Sequence, residues 1–136
     1  MNTLELFSGT KSFSKIASGL GHSTFTVDND KNLEPDWCGD IFDFVADLPA
    51  EIIWASPPCT TFSVASISHY WTDGKPKNEK ALHGIAMLER TILLIKSVKP
   101  KYWFIENPRG MMRKVIDELF EKHGIKDYQR NTVSYC

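Results

Sequence analysis

A cysteine and a glutamate are the residues best placed to do chemistry. Cys59 ends the run Ile52-Ile53-Trp54-Ala55-Ser56-Pro57-Pro58 and is followed by Thr60, Thr61, Phe62 and Ser63. A free cysteine is commonly a small buried hydrophobe. This one stands where an apolar run gives way to polar residues, within reach of a ligand. The thiolate is the nucleophilic form, and a helix N-terminus or a nearby cation favours it. Pro57 and Pro58 fix two φ angles and so restrict where the sulfur points. Glu106 closes a second apolar run, Tyr102-Trp103-Phe104-Ile105. The bland reading is a solvated strand end or a carboxylate near a helix N-terminus. The functional reading is an acid that donates a proton to a bound ring, kept protonated by desolvation against Trp103 and Phe104.

Two further positions suggest a cofactor. Gly9 follows the short apolar stretch Thr3 to Phe7, where backbone can approach a ligand closely. The stretch Phe7-Ser8-Gly9-Thr10-Lys11-Ser12-Phe13 matches neither the G-x-G-x-x-G dinucleotide pattern nor a phosphate loop. Asp28 lies one strand further on. It reads either as a turn residue in Asp28-Asn29-Asp30 or as an acid that accepts hydrogen bonds from ribose hydroxyls. An acid of that kind without a pyrophosphate cradle suits a nucleoside-type cofactor that lacks a diphosphate.

These residues need elements to position them. Strand-like stretches fall at 3–7, 23–27, 36–38, 51–55, 102–105 and 128–135. Helical spacing runs from Phe13 to Leu20, from about Glu79 to Val98, and from Val115 to Phe120, with a short helix expected over Ile41 to Leu48. Thr60 to Asn78 has no period and reads as a long loop, which in a compact domain is usually functional or disordered. Alternating strands and helices predict an α/β fold, a mostly parallel sheet with helices on both faces. Ligands of such sheets bind beyond the carboxyl ends of the strands. Phe7-Ser8-Gly9, Asp28, Ser56-Pro57-Pro58-Cys59 and Glu106-Asn107-Pro108 would then meet at one edge, with Asp40 on the same rim.

The totals bound the class. A chain of 136 residues with 42% hydrophobic and 24% charged residues suits one soluble domain, here residues 1-136. A net charge of −1 gives no general attraction to nucleic acid. Three widely spaced cysteines, Cys38, Cys59 and Cys136, without a C-x-x-C, argue against a disulfide framework or a zinc site, so no metal is expected. No signal-peptide pattern and no membrane-length apolar run occur, and the expectation is a cytoplasmic protein with reduced thiols.

The order Leu6-Phe7-Ser8-Gly9, Val27-Asp28, Gly39-Asp40-Ile41, Ser56-Pro57-Pro58-Cys59-Thr60-Thr61-Phe62-Ser63 and Glu106-Asn107-Pro108 resembles the DNA cytosine-C5 methyltransferases over nearly the whole chain. The resemblance implies a Rossmann-like fold that binds S-adenosylmethionine. Phe7, Ser8, Gly9, Asp28, Asp40, Ile41 and Pro57 would hold the cofactor, with Asp40 and Ile41 at its adenine. Pro58, Ser63 and Asn107 would face the substrate, a cytosine flipped out of DNA. Cys59 would attack C6 of the ring while Glu106 holds and protonates N3, and C5 would take the methyl group.

The sequence also departs from the family. Thr10-Lys11-Ser12 partly replaces its glycine-rich first motif, Thr60 stands where Gln is usual, and Pro108 where Val is usual. These departures suit a phage-type branch, such as restriction-modification systems carry. The family's Gln-x-Arg-x-Arg motif, target-recognition region and closing C-terminal helix are not matched, and a second chain is one source that would supply them. The leading expectation is the catalytic half of such an enzyme. The alternative is a non-catalytic truncated homologue that binds S-adenosylmethionine or a partner. A third reading, an amino-group methyltransferase, rests on Ser56-Pro57-Pro58 and is opposed by Cys59 with Glu106-Asn107. A mobile Thr60 to Asn78 loop would favour catalysis, and a packed one the binding module.

Overall fold

The computed structural model describes residues 1–133. Its main element is a sheet of five strands: β1 (Asn2–Leu6), β2 (Ser23–Asp28), β3 (Trp37–Cys38), β4 (Ile52–Ala55) and, after a small hairpin of β5 (Trp71–Thr72) and β6 (Lys75–Pro76), β7 (Tyr102–Ile105). The spatial order is β3-β2-β1-β4-β7. Each neighbouring pair is parallel, with Leu4 opposite both Phe25 and Ile53, and Ile53 opposite Trp103. Four helices complete the fold: α1 (Ser12–Gly19), the short α2 (Ile67–Tyr70), α3 (Glu79–Val98) and α4 (Met112–His123). This is the α/β, Rossmann-like arrangement expected, and the strand order reverses between β1 and β4.

The strand period of two sorts the side chains. Leu4, Leu6, Val27, Ile53 and Ala55 face Leu94 and Ile95 of α3, together with Ile41, Phe44 and Ala50 from the connection after β3. On the opposite face Glu5 is buried, and its carboxylate accepts the backbone N–H of Phe13 (3.3 Å) and of Ser14 (3.0 Å). A strand carboxylate thus caps the first turn of α1, satisfying donors that a helix start leaves open. Phe13 stacks on Trp54 at 5.2 Å, and Trp54 meets Phe104 at 5.6 Å. Beyond that contact the face is open: Phe104 is 48% exposed and Tyr102 47%.

Local signals explain the long helix. The Asn78 side chain accepts Ala81 N–H at 3.0 Å, and the chain leaves α3 through Lys99 in a left-handed conformation ahead of Pro100. A second cluster joins α3 to α4 through Leu88, Ile92, Met112, Val115, Ile116, Leu119 and Phe120, and it includes Phe62 and Trp71.

Three expectations are corrected. Residues 41–48 form a turn at 41–43 followed by irregular chain, not a helix. Arg90 of α3 donates to the carbonyls of Phe44 (2.6 Å) and Ile41 (3.3 Å), taking acceptors that a helix would need. Thr60 to Asn78 is not an unstructured loop: it holds a 3-10 turn at Val64–Ser66, then α2 and the β5–β6 hairpin. The expected strand over 128–135 is absent from 128–133, and Ser134, Tyr135 and Cys136 lie outside the described residues. Its first part lies on α4 instead, with the Tyr128 ring 4.5 Å from Phe120 and the Tyr128 hydroxyl donating to Asp117 at 3.2 Å.

Candidate active site

Parallel pairing puts every strand's carboxyl end on one edge, and the predicted clusters meet there. A cavity of about 310 Å³ is lined by Phe7 after β1, Asp28 and Asn29 after β2, Gly39, Asp40 and Ile41 after β3, and Ser56 and Pro58 after β4. Its lining pairs two carboxylates, Asp28 and Asp40, with the apolar Phe7, Ile41 and Pro58, a set that suits a nucleoside: carboxylate oxygens to accept from ribose hydroxyls, apolar walls for a base. Asp28 is fixed in place, since Oδ2 accepts Gly9 N–H at 2.8 Å and Oδ1 accepts Asp30 N–H at 3.0 Å. Each carboxylate oxygen still has acceptor capacity for a ligand hydroxyl. Asp40 likewise accepts Phe42 N–H at 3.0 Å.

Not every predicted cofactor residue reaches this cavity. Ser8 is buried, its N–H donates to the Val27 carbonyl at 3.0 Å, and its hydroxyl has no partner among the described residues. Gly9 acts through Asp28. Pro57 is buried, and its carbonyl accepts Nδ2 of Asn107 at 2.9 Å.

That last bond joins the two loops that carry Cys59 and Glu106. Glu106 N–H donates to the Ala55 carbonyl at 2.8 Å, so the ladder between β4 and β7 runs on to the point where both chains turn out of the sheet. The Cys59 carbonyl accepts N–H groups from Phe62 (2.9 Å) and Ser63 (3.0 Å), which closes a tight turn behind a half-buried thiol. Ser63 faces Ser66, their hydroxyls 2.9 Å apart, and pairs with Gly110 in an isolated antiparallel bridge. Glu106 itself is exposed, and so is Phe104 on the far face of the sheet; the expected enclosure of Glu106 by aromatic rings is therefore not provided by this neighbour.

The family model of C-5 cytosine-specific DNA methylases matches residues 1–126. The chain belongs to this family. A probable DNA (cytosine-5)-methyltransferase of Frog virus 3 (isolate Goorha) is 36% identical over 141 residues, which cover 94% of this chain and 63% of the viral protein. This methylase-family chain therefore spans a little under two thirds of that relative's length.

Two residues of this methylase-family chain were missed from sequence. His83 and Met87 of α3 line the same cavity, and with Pro58 they also line a second one of about 550 Å³ that reaches Thr60, Thr61, Tyr70, Glu79, Lys80 and Gly84. The signal was available in the topology: a helix returning from one parallel strand to the next begins at the carboxyl edge, so the first turns of α3 had to stand on the ligand rim. Among the described residues, no group of three or more His, Cys, Asp or Glu could hold a metal ion, and no helix is long and apolar enough to cross a membrane.

Proposed function

We propose that this chain carries the catalytic site for transfer of a methyl group from S-adenosylmethionine to C5 of a cytosine in DNA. The observation that carries the reading is the lacing of two loops at one sheet edge. The turn ending in Cys59 and the turn starting at Glu106 are tied by Asn107 to Pro57, beside a cavity suited to a nucleoside. Bound S-adenosylmethionine supplies an electrophilic methyl group. Asp28 would accept the ribose hydroxyls, while Asp40 and Ile41 would border the adenine, with Phe7 and Met87 as apolar walls. Pro57, buried and outside the cavity, would act by shaping the turn that carries Cys59.

The remaining residues act on the base. C5 of cytosine is a poor nucleophile, so the ring has to be activated. The Cys59 thiolate forms a bond to C6, and Glu106 protonates N3 to receive the displaced charge. The electron pair then available at C5 would take the methyl carbon as its bond to the sulfonium sulfur breaks, with S-adenosylhomocysteine as the leaving group. Loss of the C5 proton to water, expulsion of the Cys59 thiolate and return of the N3 proton to Glu106 would restore the aromatic ring and the starting acid. A base inside a duplex cannot be reached in this way, so the substrate is a flipped nucleotide. Pro58 and Ser63 border its entry, and the Asn107 amide holds the nucleophile's turn. The family assignment and the viral relative's printed name support this reading.

The test is covalent trapping. The protein is incubated with labelled S-adenosylmethionine and a DNA duplex carrying 5-fluorocytosine, which blocks loss of the C5 substituent. A stable adduct in the wild type that is lost in Cys59→Ala supports the reading. No adduct, even with a chain added that supplies the rest of the relative's length, sinks it.

A second reading has one observation in its favour. Residues 60–78 are folded and packed, with Trp71 buried and its indole N–H donating to the Thr61 carbonyl at 2.6 Å. A fixed segment suits a module that binds S-adenosylmethionine without turnover. Calorimetric binding of the cofactor without any adduct would select it. The cytoplasmic setting and the phage-type role remain part of the proposal, checked by where the native protein fractionates.

A further inference from the structure

The turn behind Cys59 is gripped from two sides by glycines. Gly110, after β7, lies so close to the Phe62 backbone that an added Cβ would overlap the Phe62 carbonyl oxygen and stand 2.7 Å from its carbon and 3.1 Å from Ser63 Cα. These are backbone atoms that cannot rotate aside. Gly110 is not among the residues with positive φ, so space rather than conformation excludes a side chain. The approach is held by Met111 N–H donating to the Phe62 carbonyl (2.8 Å) and Val64 N–H to the Arg109 carbonyl (3.3 Å). On the opposite side, a Cβ on Gly84 of α3 would overlap Thr61 Oγ1 and come within 3.3 Å of the Phe62 ring. Phe62 between them is fully buried. Both N–H groups that fix the Cys59 carbonyl, from Phe62 and Ser63, therefore belong to the gripped segment.

We propose that Gly110, assisted by Gly84, is a positioning residue for Cys59: the close backbone approach it permits sets the height of the thiol above the sheet edge. The functional half of this inference rests on Cys59 being the nucleophile of the proposed reaction; the geometric half does not. Widening the approach would let the turn move outward. The thiol would become easier for a small reagent to reach and harder to aim at a base. Misplacement by about an ångström is enough to slow an oriented reaction about a hundredfold.

The test uses two opposed readouts, in a background with Cys136→Ser. Iodoacetamide alkylation of Cys59 is timed against Cys38, which is already exposed and serves as the internal standard. Covalent trapping on 5-fluorocytosine DNA is timed in parallel. In Gly110→Ala, Cys59 alkylation is expected to rise about tenfold or more while trapping falls about tenfold or more, with Cys38 unchanged. A rise in Cys59 alkylation that only tracks a lower unfolding temperature would mark general loosening and overturn the inference, since Cys38 is exposed already. Gly84→Ala should give a smaller change of the same kind, because Thr61 can rotate, and Gly84→Ala with Thr61→Ala should return to wild-type rates. This pair carries the test if Gly110→Ala fails to fold. Cys59 alkylation within about twofold of wild type in the folded variants overturns the inference, as does a rise shared with Cys38. If the wild type itself traps no DNA, the proposed reaction fails, and alkylation alone still decides whether the glycines position the thiol.

Discussion

Gly9 donates its backbone N–H to Oδ2 of Asp28 at 2.8 Å, tying the turn after β1 to the end of β2 beside the candidate cofactor cavity. One carboxylate thus shapes the loop and lines the cavity. Asp28→Ala should lower stability by about 1–3 kcal/mol, as expected when charged hydrogen bonds to backbone N–H groups are lost. It should also weaken S-adenosylmethionine binding by about tenfold or more. Thermal unfolding and calorimetric titration check the two effects separately. Loss of stability with unchanged cofactor affinity would leave Asp28 a loop anchor only.

Glu106 and Cys59 should separate kinetically. Glu106→Gln keeps the shape but cannot donate a proton, and should slow adduct formation by about 10²–10⁴-fold with cofactor affinity unchanged. Cys59→Ser should form no adduct at all. A Glu106→Gln protein that traps DNA at the wild-type rate would remove Glu106 from the mechanism.

Trp71 is the anchor of the segment between Cys59 and α3. Its ring packs 6.0 Å from Phe62 and its indole N–H bonds the Thr61 carbonyl. Trp71→Ala should cost about 3–5 kcal/mol and open peptide bonds near Val64 to Asn78 to limited proteolysis before the sheet melts. If the segment stays resistant, its order comes from elsewhere.

Acid should weaken the contact between α3 and α4. Lys122 Nζ lies 2.6 Å and His123 Nε2 2.7 Å from Glu89 Oε1. The hydrogen bonds from Lys122 and then His123, aided by their charges, hold the Glu89 carboxyl below its ordinary value. A depressed folded pKa stabilises above the unfolded value and is lost as pH falls through the folded one. Wild type should exceed Glu89→Gln by about 0.2–1 kcal/mol near neutrality. That margin should shrink below about pH 4, where carboxylates protonate. Urea unfolding at both pH values checks it, and a margin that grows in acid would refute the pair.

The open sheet face makes a fifth prediction, about behaviour rather than catalysis. Phe104 and Tyr102, on the same face of β7, are about half exposed and leave apolar surface open to solvent. Phe104→Lys should reduce binding of a hydrophobic dye and concentration-dependent association, with little change in unfolding temperature. Equal dye binding in both proteins would show that the face is too divided to act as a patch.

The strands were legible because β4 and β7 are apolar runs and β1 alternates apolar Leu4 and Leu6 with polar Thr3 and Glu5, and the ligand edge followed from their being parallel. Residues 41–48 misled because Ile41 and Phe44 have helical spacing, yet Arg90, distant in sequence, takes the carbonyls that a helix would use. The segment after Cys59 had no period because it folds around one residue, Trp71, and not along an amphipathic face. The stretch from Tyr128 had strand-forming residues whose side chains found partners on α4 instead. For the site, sequence could rank Cys59, Glu106 and Asp28 by chemistry. It could not see that Asn107 reaches the Pro57 carbonyl or that Gly110 meets the Phe62 backbone, since both depend on how two distant turns abut.

The strand order also bears on how the protein comes apart. β1 lies at the centre of the sheet, and its pairing with β2 joins nearby stretches of chain, whereas its pairing with β4 joins Thr3 to Ile52. The candidate cofactor cavity straddles that longer-range seam. A transient parting of β1 from β4 would abolish the cavity while β1, β2, β3 and α1 remained a folded half. Anything that binds in the cavity bridges the seam, and would act as a clasp holding the two halves of the sheet together.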